Sequence, residues 1–375
     1  MRQDDEERRT RDGVISNRVY TGDLRGGFSV FIFAMSTPNH RIHILGLGSI
    51  GTLVAHSLLS GPNPPPVALL VHRADLYHEL STGRKLGLRL GEAGELQEQG
   101  GFDTELPGTS SSSEPIYNLI VTVKAPATVS ALEPIKHRLG SHSTICFLQN
   151  GLGQIENLNE KLFPDSSTRP TYMFGIMRLG VYLKSSTEAI LASPNGSISV
   201  GLVGSEPSPR SSQHQVLLEA LLKSPVLGCE ELQWSDLLQM QLSKLASNCI
   251  INPLTAILDV RNGRTNENAD IQPLRRRILE EVSNVFESLP EVQSLPAGRA
   301  SFSVDSLEAV ARDTTEKTAQ NSSSMREDIR KGRSTEIEYI NGWIVKRGKE
   351  LGIDCVANSI VTQLVLAKSS EKMHQ

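Results

Sequence analysis

The sequence predicts an α/β fold, with an N-terminal domain of alternating strands and helices at residues 41–233 and an all-helical domain at residues 234–375. Two observations carry this prediction. In the first part, short apolar runs alternate with helical stretches, which is typical of a doubly wound, mostly parallel sheet. After about residue 234, strand signals are nearly absent and helical periodicity continues to the end of the chain.

The first strand, helix and second strand can be located from the sequence. Residues 41–45 form a short buried run, residues 52–59 continue as an apolar helix, and residues 67–71 form a second buried run. A Gly- and Pro-rich break at 61–66 separates the helix from the second strand. This β-α-β unit of about 30 residues has the length that such a unit requires.

Further strands and helices follow from the same criteria. Strands are predicted at 117–123, 144–148 and 198–203, and the last of them is expected to close the first domain. Residues 91–115 are rich in Gly, Glu and Ser and are interpreted as a surface loop or a short meander. Helices are predicted at 235–255, 271–289, 306–331, 334–351 and 359–368.

Composition narrows the class of protein. Hydrophobic residues make up 38% and charged residues 21% of the 375 residues, which suits a soluble globular protein. A net charge of −4 offers no positive field for nucleic acid or anionic lipid, so neither partner is expected. No apolar run approaches the roughly 20 residues that span a bilayer. The cysteines form no CxxC pair, so we expect no metal site, no disulfide framework and a reducing compartment; they are Cys146, Cys229, Cys249 and Cys355.

Residues 1–40 are expected to form a disordered extension. The segment mixes arginines with acidic residues, including an acidic run at 4–7, whereas mitochondrial transit peptides are poor in acids. The cytoplasm is therefore the predicted location, with a mitochondrial one as the alternative. A translation start at Met35 is a second interpretation of this segment.

A glycine-rich turn joins the first strand to the first helix, and its residues are Gly46, Leu47, Gly48, Ser49, Ile50 and Gly51. Gly46 would allow the tight turn, Gly48 would let the backbone approach a pyrophosphate, and Gly51 would let helix and strand pack closely. The N–H groups at the helix start would then face an anion. A turn without a ligand is the alternative, but the order of strand, glycines, helix and strand favours a dinucleotide site.

The end of the second strand distinguishes NAD from NADP. An NAD site typically has Asp or Glu there, bonded to the ribose hydroxyls. Here the strand ends with His72 and Arg73, and the first acid is Asp75. Because a guanidinium suits a phosphate dianion, Arg73 is predicted to bind the 2′-phosphate of NADP(H). An exposed surface arginine is the alternative.

Two later strand ends carry a polar side chain, Lys124 after one strand and Asn150 after the next. In a doubly wound domain, the carboxyl ends of the strands border the crevice where the cofactor binds. Both residues are therefore candidates for cofactor binding. Taken alone, they are also compatible with a solvated lysine and a turn-forming Asn-Gly pair.

A polar stripe runs along the first predicted helix of the second domain. Lys244, Asn248 and Asn252 are spaced i, i+4 and i+8, so they share one helix face. Their neighbours are apolar, which predicts a largely buried helix, and a buried unpaired ammonium is costly. The stripe therefore indicates a pocket for a ligand with carboxylate and hydroxyl groups. An exposed polar face is the alternative, and Glu336, taken alone, is most simply a solvated helix charge.

In the order and spacing of its motifs, the chain resembles the ketopantoate reductase (2-dehydropantoate 2-reductase) family from about residue 41 to residue 368. The matching stretches are Gly46–Gly51, Val123–Ala125, Gln149–Gly153, Lys244–Ala256, Asn321–Met325 and Thr335–Gly342. Residues 252–256 and 336–342 are the stretches most specific to that family.

The resemblance implies a Rossmann domain followed by a helical domain like that of 6-phosphogluconate dehydrogenase, with the active site between them. It implies reduction of ketopantoate to pantoate with NADPH, in pantothenate biosynthesis and so toward coenzyme A. Lys244 would match the family's general acid, and Glu336 a carboxylate near substrate and cofactor. Arg73, Lys124 and Asn150 would match cofactor-binding positions. The substrate's carboxylate and hydroxyl would be held by Asn248, Asn252, Asn262 and Ser324.

One segment departs from the family pattern. Residues 175–181 stand where the family often has a run containing Thr and His. Met177 and Arg178 would narrow the pocket or favour a different acid, so the substrate is less determined than the reaction type. The alternatives are a reductase of another 2-oxo acid and a non-catalytic NADP-binding paralogue. A homodimer is compatible with the resemblance.

Overall fold

The computed structural model describes residues 39–109, 112–193, 196–204, 212–295 and 298–373. The extension expected at 1–40 therefore lies, apart from its last two residues, outside the described residues. The strands are β1 (Ile42–Leu45), β2 (Val67–Leu70), β3 (Leu86–Leu90), β4 (Gln97–Gln99), β5 (Asp103–Glu105), β6 (Asn118–Val121), β7 (Thr144–Phe147), β8 (Thr171–Met177), β9 (Val181–Leu183), β10 (Glu188–Leu191), β11 (Ile198–Leu202) and β12 (Cys229–Glu231).

The α-helices are distributed over both parts of the chain. They are α1 (Ser49–Leu59), α2 (Ala74–Ser81), α3 (Thr128–Leu132), α4 (Gln154–Lys161), α5 (Ser212–Leu222), α6 (Trp234–Leu258), α7 (Arg264–Glu267), α8 (Gln272–Ser288), α9 (Pro290–Gln293), α10 (Val304–Lys317), α11 (Ser324–Arg330), α12 (Asn341–Leu351) and α13 (Val356–Met373). None of the helices in the described ranges is long and apolar enough to cross a membrane.

Eight of the described strands form the main sheet, in the order β12-β11-β8-β7-β6-β1-β2-β5. Neighbouring strands pair in parallel except β8 and β11, which are antiparallel. From β1 the chain continues to β2 on one side and later reaches β6 on the other, so the strand order reverses between β1 and β6. Ligands of such sheets bind at this reversal, beyond the carboxyl ends of the strands. The loops after β1, β6 and β7 therefore border the expected site.

Both faces of the central sheet are buried. Along β6, Leu119 and Val121 belong to one core cluster and Ile120 to the other, as the period of two along a strand requires. This burial on both sides explains why the central strands are continuous apolar runs in the sequence. The cluster that contains Leu119 and Val121 extends into the buried side chains of α6, α8, α12 and α13. The sheet and the helical region thus share one core.

The helical region is built around α6. This helix begins at Trp234 and packs against α8, α10, α11 and α13. After β12, the described residues contain no further strand. The α/β class with a helical C-terminal region is therefore confirmed, while the domain boundary at 233/234 stays a prediction.

The edges of the main sheet differ from the expectation. Residues 91–115 contain the short strands β4 and β5, so they are closer to a meander than to a surface loop. The prediction that the strand at 198–203 closes the first domain was wrong, because β12 follows it in the chain and pairs with β11. A second sheet, in the order β4-β3-β10-β9, was also missed. Its strands pack beside α1.

Two predicted helices are shorter than expected. The helix predicted at 306–331 is interrupted between α10 and α11, where the Ser323 hydroxyl accepts a hydrogen bond from the Arg326 N–H and caps α11. The helix predicted at 334–351 begins only at Asn341, after a 3-10 helix at Ile337–Tyr339. The late start of α12 leaves Glu336 in the loop before it, on the helical region's side of the site.

Candidate active site

The three glycines of the turn after β1 have different surroundings. Gly46 has a φ of +99°, and a Cβ there would lie 2.6 Å from Val123 Cγ1. A Cβ on Gly51 would collide with the Gly46 carbonyl oxygen. Gly48, in contrast, has no atom of the described residues within 4 Å of a Cβ position. Packing therefore demands glycine at 46 and 51, while the open side of Gly48 leaves room for a ligand's phosphate.

Helix α1 presents a free N-terminus at the strand-order reversal. Gly48 is its N-cap, no side chain in the described ranges caps it, and its first turn has no acidic residue. The Thr122 hydroxyl donates to the Gly46 carbonyl at 2.6 Å and so holds the turn against the end of β6. An uncapped helix N-terminus beside open space is suited to an anion.

Arg73 lies at the end of β2, as the N-cap residue of α2. Its side chain is exposed, and no side chain in the described part of the chain bonds or pairs with the guanidinium. The nearest acid in sequence, Asp75, is also exposed and lies in the first turn of α2. The guanidinium is therefore free to bind an anionic group.

Lys244 connects α6 to the strand ends. Its Nζ donates to Asn150 Oδ1 at 3.1 Å and to the Met177 carbonyl oxygen at 2.8 Å. These partners lie beyond β7 and at the end of β8. An ammonium group has three N–H donors, so one has no partner among the described residues.

The surroundings of Lys244 change the pKa of its amine. Burial lowers the pKa of Lys244 to about 8, the negative charge of Glu336 opposes that effect, and the positive charge of Arg178 adds to it. A pKa close to neutral pH lets an amine both donate and regain a proton readily.

Glu336 is buried in the same place, with only 6% of its surface exposed. Its Oε1 accepts a hydrogen bond from the Ala125 N–H at 3.1 Å. Its Oε2 accepts one from Asn150 Nδ2 at 3.3 Å and lies 3.6 Å from Lys124 Nζ. The interpretation of Glu336 as a solvated helix charge was therefore wrong. The Asn150 amide joins the carboxylate of Glu336 to the ammonium of Lys244.

Sequence reasoning missed Asp328, which completes this network. Its Oδ2 lies 2.6 Å from Lys124 Nζ, and Asp328 is 2% exposed, whereas the Lys124 side chain is 39% exposed. Burial by itself lowers the pKa of Lys124, but the charges of Glu336 and Asp328 outweigh it and raise that pKa above its ordinary value. Burial also raises the pKa of Asp328, although Lys124 and Arg333 oppose this. In the sequence, Asp328 follows Arg326 and Glu327 and resembles any solvated helix charge.

A small cleft lies between the strand ends and α6. It is lined by Gln149, Asn150, Gly151, Leu152, Gly175, Ile176, Gln241, Lys244, Leu245 and Asn248. Of the predicted substrate residues, Asn248 lines this cleft and Asn252 is buried one turn further along α6. Asn262 and Ser324 are not among the lining residues. Asn262 Nδ2 donates to Thr318 Oγ1 at 3.0 Å, and Ser324 is exposed at the start of α11. Their roles stay predictions.

The two stretches most specific to the resemblance meet behind Lys244. Pro253 lies inside α6 and has no N–H, so the Cys249 carbonyl lacks its usual helical donor. Asn341 Nδ2 donates to that carbonyl at 3.0 Å and to Asn358 Oδ1 at 2.9 Å. The start of α12 is thereby bound to α6.

The loop after β7 makes a second close contact with the helical region. Gly151 has a φ of +81°, and a Cβ there would collide with the Tyr339 carbonyl oxygen. The Leu152 N–H donates to the same oxygen at 2.8 Å. This backbone contact keeps Asn150 beside Glu336.

The described residues contain no cluster of three or more His, Cys, Asp or Glu side chains that could hold a metal ion. The open glycine turn and the half-buried Lys244 at the strand ends fit an oxidoreductase that uses a pyridine dinucleotide.

Comparison with known proteins identifies the family. Residues 42–205 match the family model described as ketopantoate reductase PanE/ApbA, and residues 236–369 match the C-terminal model of the same family. The chain belongs to the ketopantoate reductase family, as its motifs predicted.

Individual relatives agree with this assignment but differ in their named substrates. The 2-dehydropantoate 2-reductase of Saccharomyces cerevisiae is 31% identical, over 88% of this chain and 94% of that protein. A ketoisovalerate reductase of Gibberella fujikuroi is 27% identical, over 87% of this chain and 83% of that protein. The solved structure of D-mandelate dehydrogenase with NADH and anilino(oxo)acetate superposes with a TM-score of 0.72 at 21% identity, covering 88% of this chain and 99% of that one.

Proposed function

We propose that this protein is an NADPH-dependent reductase that converts 2-dehydropantoate (ketopantoate) to pantoate, a precursor of pantothenate. The observation that carries the proposal is the Lys244 ammonium. It is held at the strand ends by Asn150 and the Met177 carbonyl, and one of its N–H groups has no partner among the described residues. Its pKa is about 8. A proton donor with these properties suits the reduction of a ketone.

The cofactor would be held at the strand-order reversal. Its pyrophosphate fits the open side of Gly48 at the free N-terminus of α1, and its 2′-phosphate fits the unpaired Arg73. Lys124 and Asn150, at the ends of the next strands, would complete the site. When bound, NADPH supplies the hydride that C2 of the substrate accepts.

Lys244 would act as the general acid. As negative charge develops on the carbonyl oxygen, the free N–H of the ammonium stabilises it and then transfers its proton there. The contacts to Asn150 and the Met177 carbonyl would keep the amine aimed during the reaction.

Glu336 would support this acid in two ways. Its charge raises the pKa of Lys244, which keeps more of the amine protonated. Its bond to Asn150 Nδ2 also fixes the amide that holds Lys244. The substrate's carboxylate and hydroxyl would be bound by Asn248, Asn252, Asn262 and Ser324.

The test is an assay of NADPH oxidation with ketopantoate and a panel of other 2-oxo acids. We expect ketopantoate to give the highest kcat/KM. Oxidation no faster with ketopantoate than with other acids would refute the assignment to pantoate. A chain that binds NADPH and reduces none of the acids would be the non-catalytic paralogue.

A second candidate is the reduction of another 2-oxo acid, in particular ketoisovalerate. One observation favours it: a relative of similar coverage is named a ketoisovalerate reductase. The departure at Met177 and Arg178 does not, because neither residue is among those that line the cleft and the Arg178 guanidinium pairs with Glu230. The same panel decides, since ketoisovalerate would then give the higher kcat/KM.

A homodimer stays a prediction, which light scattering of the purified chain tests.

A further inference from the structure

Two buried glutamine amides in the cleft have unsatisfied oxygens. Gln241 is 9% exposed and precedes Lys244 by three residues on α6, so the two share a helix face. Gln149 is 8% exposed and follows β7. The Oε1 atom of each is buried and accepts no hydrogen bond from the described residues. Nearly all buried acceptors in native proteins have a hydrogen-bond partner, so two that have none within the described residues point to a water or a ligand.

The orientation of Gln149 is fixed by its other end. Its Nε2 donates to the Val123 carbonyl at 2.6 Å and to Thr128 Oγ1 at 2.8 Å. Because these bonds use both N–H groups of the amide, a flipped amide would lose them. Gln149 Oε1 is therefore available as an acceptor. Gln241 has no side-chain bond to any described residue and can turn its amide oxygen toward the same donor.

We propose that Gln241, together with Gln149, is a specificity-determining residue that accepts hydrogen bonds from a donor group of a ligand bound beside Lys244. The proposal rests on the function proposed above, because that function defines the two ligands. One source of the donor is the 4-hydroxyl of ketopantoate. The other is the amide NH₂ of the nicotinamide, whose two N–H groups match two acceptors.

The position of Gln241 makes it informative about this chain in particular. It precedes the stretch Lys244–Ala256 that carries the family resemblance, yet it lines the same cleft as Lys244 and Asn248. A site with buried acceptors discriminates strongly against a ligand that lacks the matching donor, because the acceptors are then left unpaired. Gln241 would thus separate ligands that differ by this one donor group, whether it lies on the substrate or on the cofactor.

The first arm of the test uses Gln241→Met, which keeps the length of the side chain and removes the amide. The kcat/KM is measured for ketopantoate and for 3,3-dimethyl-2-oxobutanoate, which lacks only the hydroxyl. If the hydroxyl is the donor, the wild type prefers ketopantoate by about tenfold or more, and the variant loses that preference.

The second arm keeps ketopantoate and changes the cofactor. In the 3-acetylpyridine analogue of NADPH, a methyl group replaces the amide NH₂. If the nicotinamide is the donor, the wild type prefers NADPH over the analogue by a ratio that falls about tenfold or more in Gln241→Met. The substrate ratio of the first arm is then unchanged.

Gln239→Met is the matched control, since Gln239 lies on the same helix, bonds to Ser301 Oγ at 3.4 Å and is not among the residues that line the cleft. Both ratios should equal those of the wild type. Gln241→Leu is a second variant in case Gln241→Met proves unstable in thermal unfolding. Unchanged ratios in both Gln241 variants would overturn the proposal. An ordered water would then be the donor to the two amide oxygens.

The outcome is separable from that of the proposed function. A wild type that reduces no 2-oxo acid refutes the function. The dissociation constants of both dinucleotides and both acids are then measured by calorimetry with the wild type and the Gln241 variants. Ligand preferences that do not change between them would overturn the inference on its own.

Discussion

The two halves of the site differ in whether their polar groups already have partners within the protein. At the dinucleotide side, the groups suited to a ligand are unpaired: Arg73 is exposed and the N-terminus of α1 is uncapped. At the lysine side, the charges are already connected, from Lys244 through Asn150 and Glu336 to Lys124. The first half depends on a ligand to complete it, whereas the second is organised in advance. Substitution of Arg73 should therefore affect binding, and substitution of Lys244 should affect rate.

The largest effect is expected at Lys244. Lys244→Met removes the proton donor but not the dinucleotide site, so kcat should fall by about 10²–10⁴-fold while the Kd for NADPH is retained. Steady-state kinetics and fluorescence titration measure the two quantities. Lys346→Met, at an exposed position on α12, is the control. A kcat near that of the wild type in Lys244→Met would exclude Lys244 as the acid.

The second effect concerns the dinucleotide side. Arg73→Ala should raise the KM for NADPH by about 10- to 100-fold, because a charge-assisted bond to the 2′-phosphate is lost, and leave the KM for NADH nearly unchanged. The kcat should change little. Arg277→Ala, at an exposed position on α8, should alter neither KM. An unchanged preference for NADPH over NADH in Arg73→Ala would remove Arg73 from the site.

The third effect is a pH dependence on the lysine side. The acid must be protonated to donate, and the ammonium of Lys244 predominates below its pKa of about 8. The kcat for reduction should therefore fall about tenfold per pH unit above that value. Glu336→Gln removes a charge that raises the pKa of Lys244, so the fall should move to lower pH.

The exposed Glu338, two residues further on, supplies the matched control for this pH profile. Glu338→Gln should leave the profile where the wild type has it. A profile of Glu336→Gln that coincides with the wild type would show that Glu336 does not act on Lys244 through its charge.

The smallest effect is on stability and concerns the hydrogen bond from Asn341 to the Cys249 carbonyl of α6. Asn341→Leu leaves the Cys249 carbonyl without a donor, so the free energy of unfolding should drop by about 1–3 kcal/mol. In a Pro253→Ala background, the new N–H at 253 can bond to that carbonyl, and the same substitution should cost less. Urea unfolding of the four proteins measures the difference. Equal costs in both backgrounds would show that the contact does not compensate for the proline.

Much of the fold was predictable because the strands at its centre are buried on both faces and are therefore largely apolar along their whole length. The runs at β1, β2, β6 and β7 are apolar on both faces and stand out in the sequence. The second sheet did not, because strands such as Gln97–Gln99 and Val181–Leu183 are short, are partly exposed and show no clear alternation. The interruption before α11 was missed because residues 306–331 were read as one helix, although Asn321–Ser324 are residues typical of loops and N-caps.

Among the site residues, too, some could be recognised in the sequence and others only in the structure. The position of Lys244 was predictable because a charge within an apolar helix is anomalous, and that of Arg73 because topology fixes its place after β2. The roles of both residues stay predictions. Asp328 was not, since its neighbours in sequence are charged and only the tertiary structure buries it. The Met177 contact was also hidden, because its acceptor is a backbone carbonyl, which any residue supplies.

The contact between Gly151 and Tyr339 limits how this protein can be recombined with its relatives. A chimera that takes its strands from one member and its helices from another inherits the two sides of this junction from different parents. Any donor of the first part with a side chain at 151 would meet the Tyr339 carbonyl and push the helices away from the strand ends. Successful crossovers should therefore be those in which both parents carry glycine at this position.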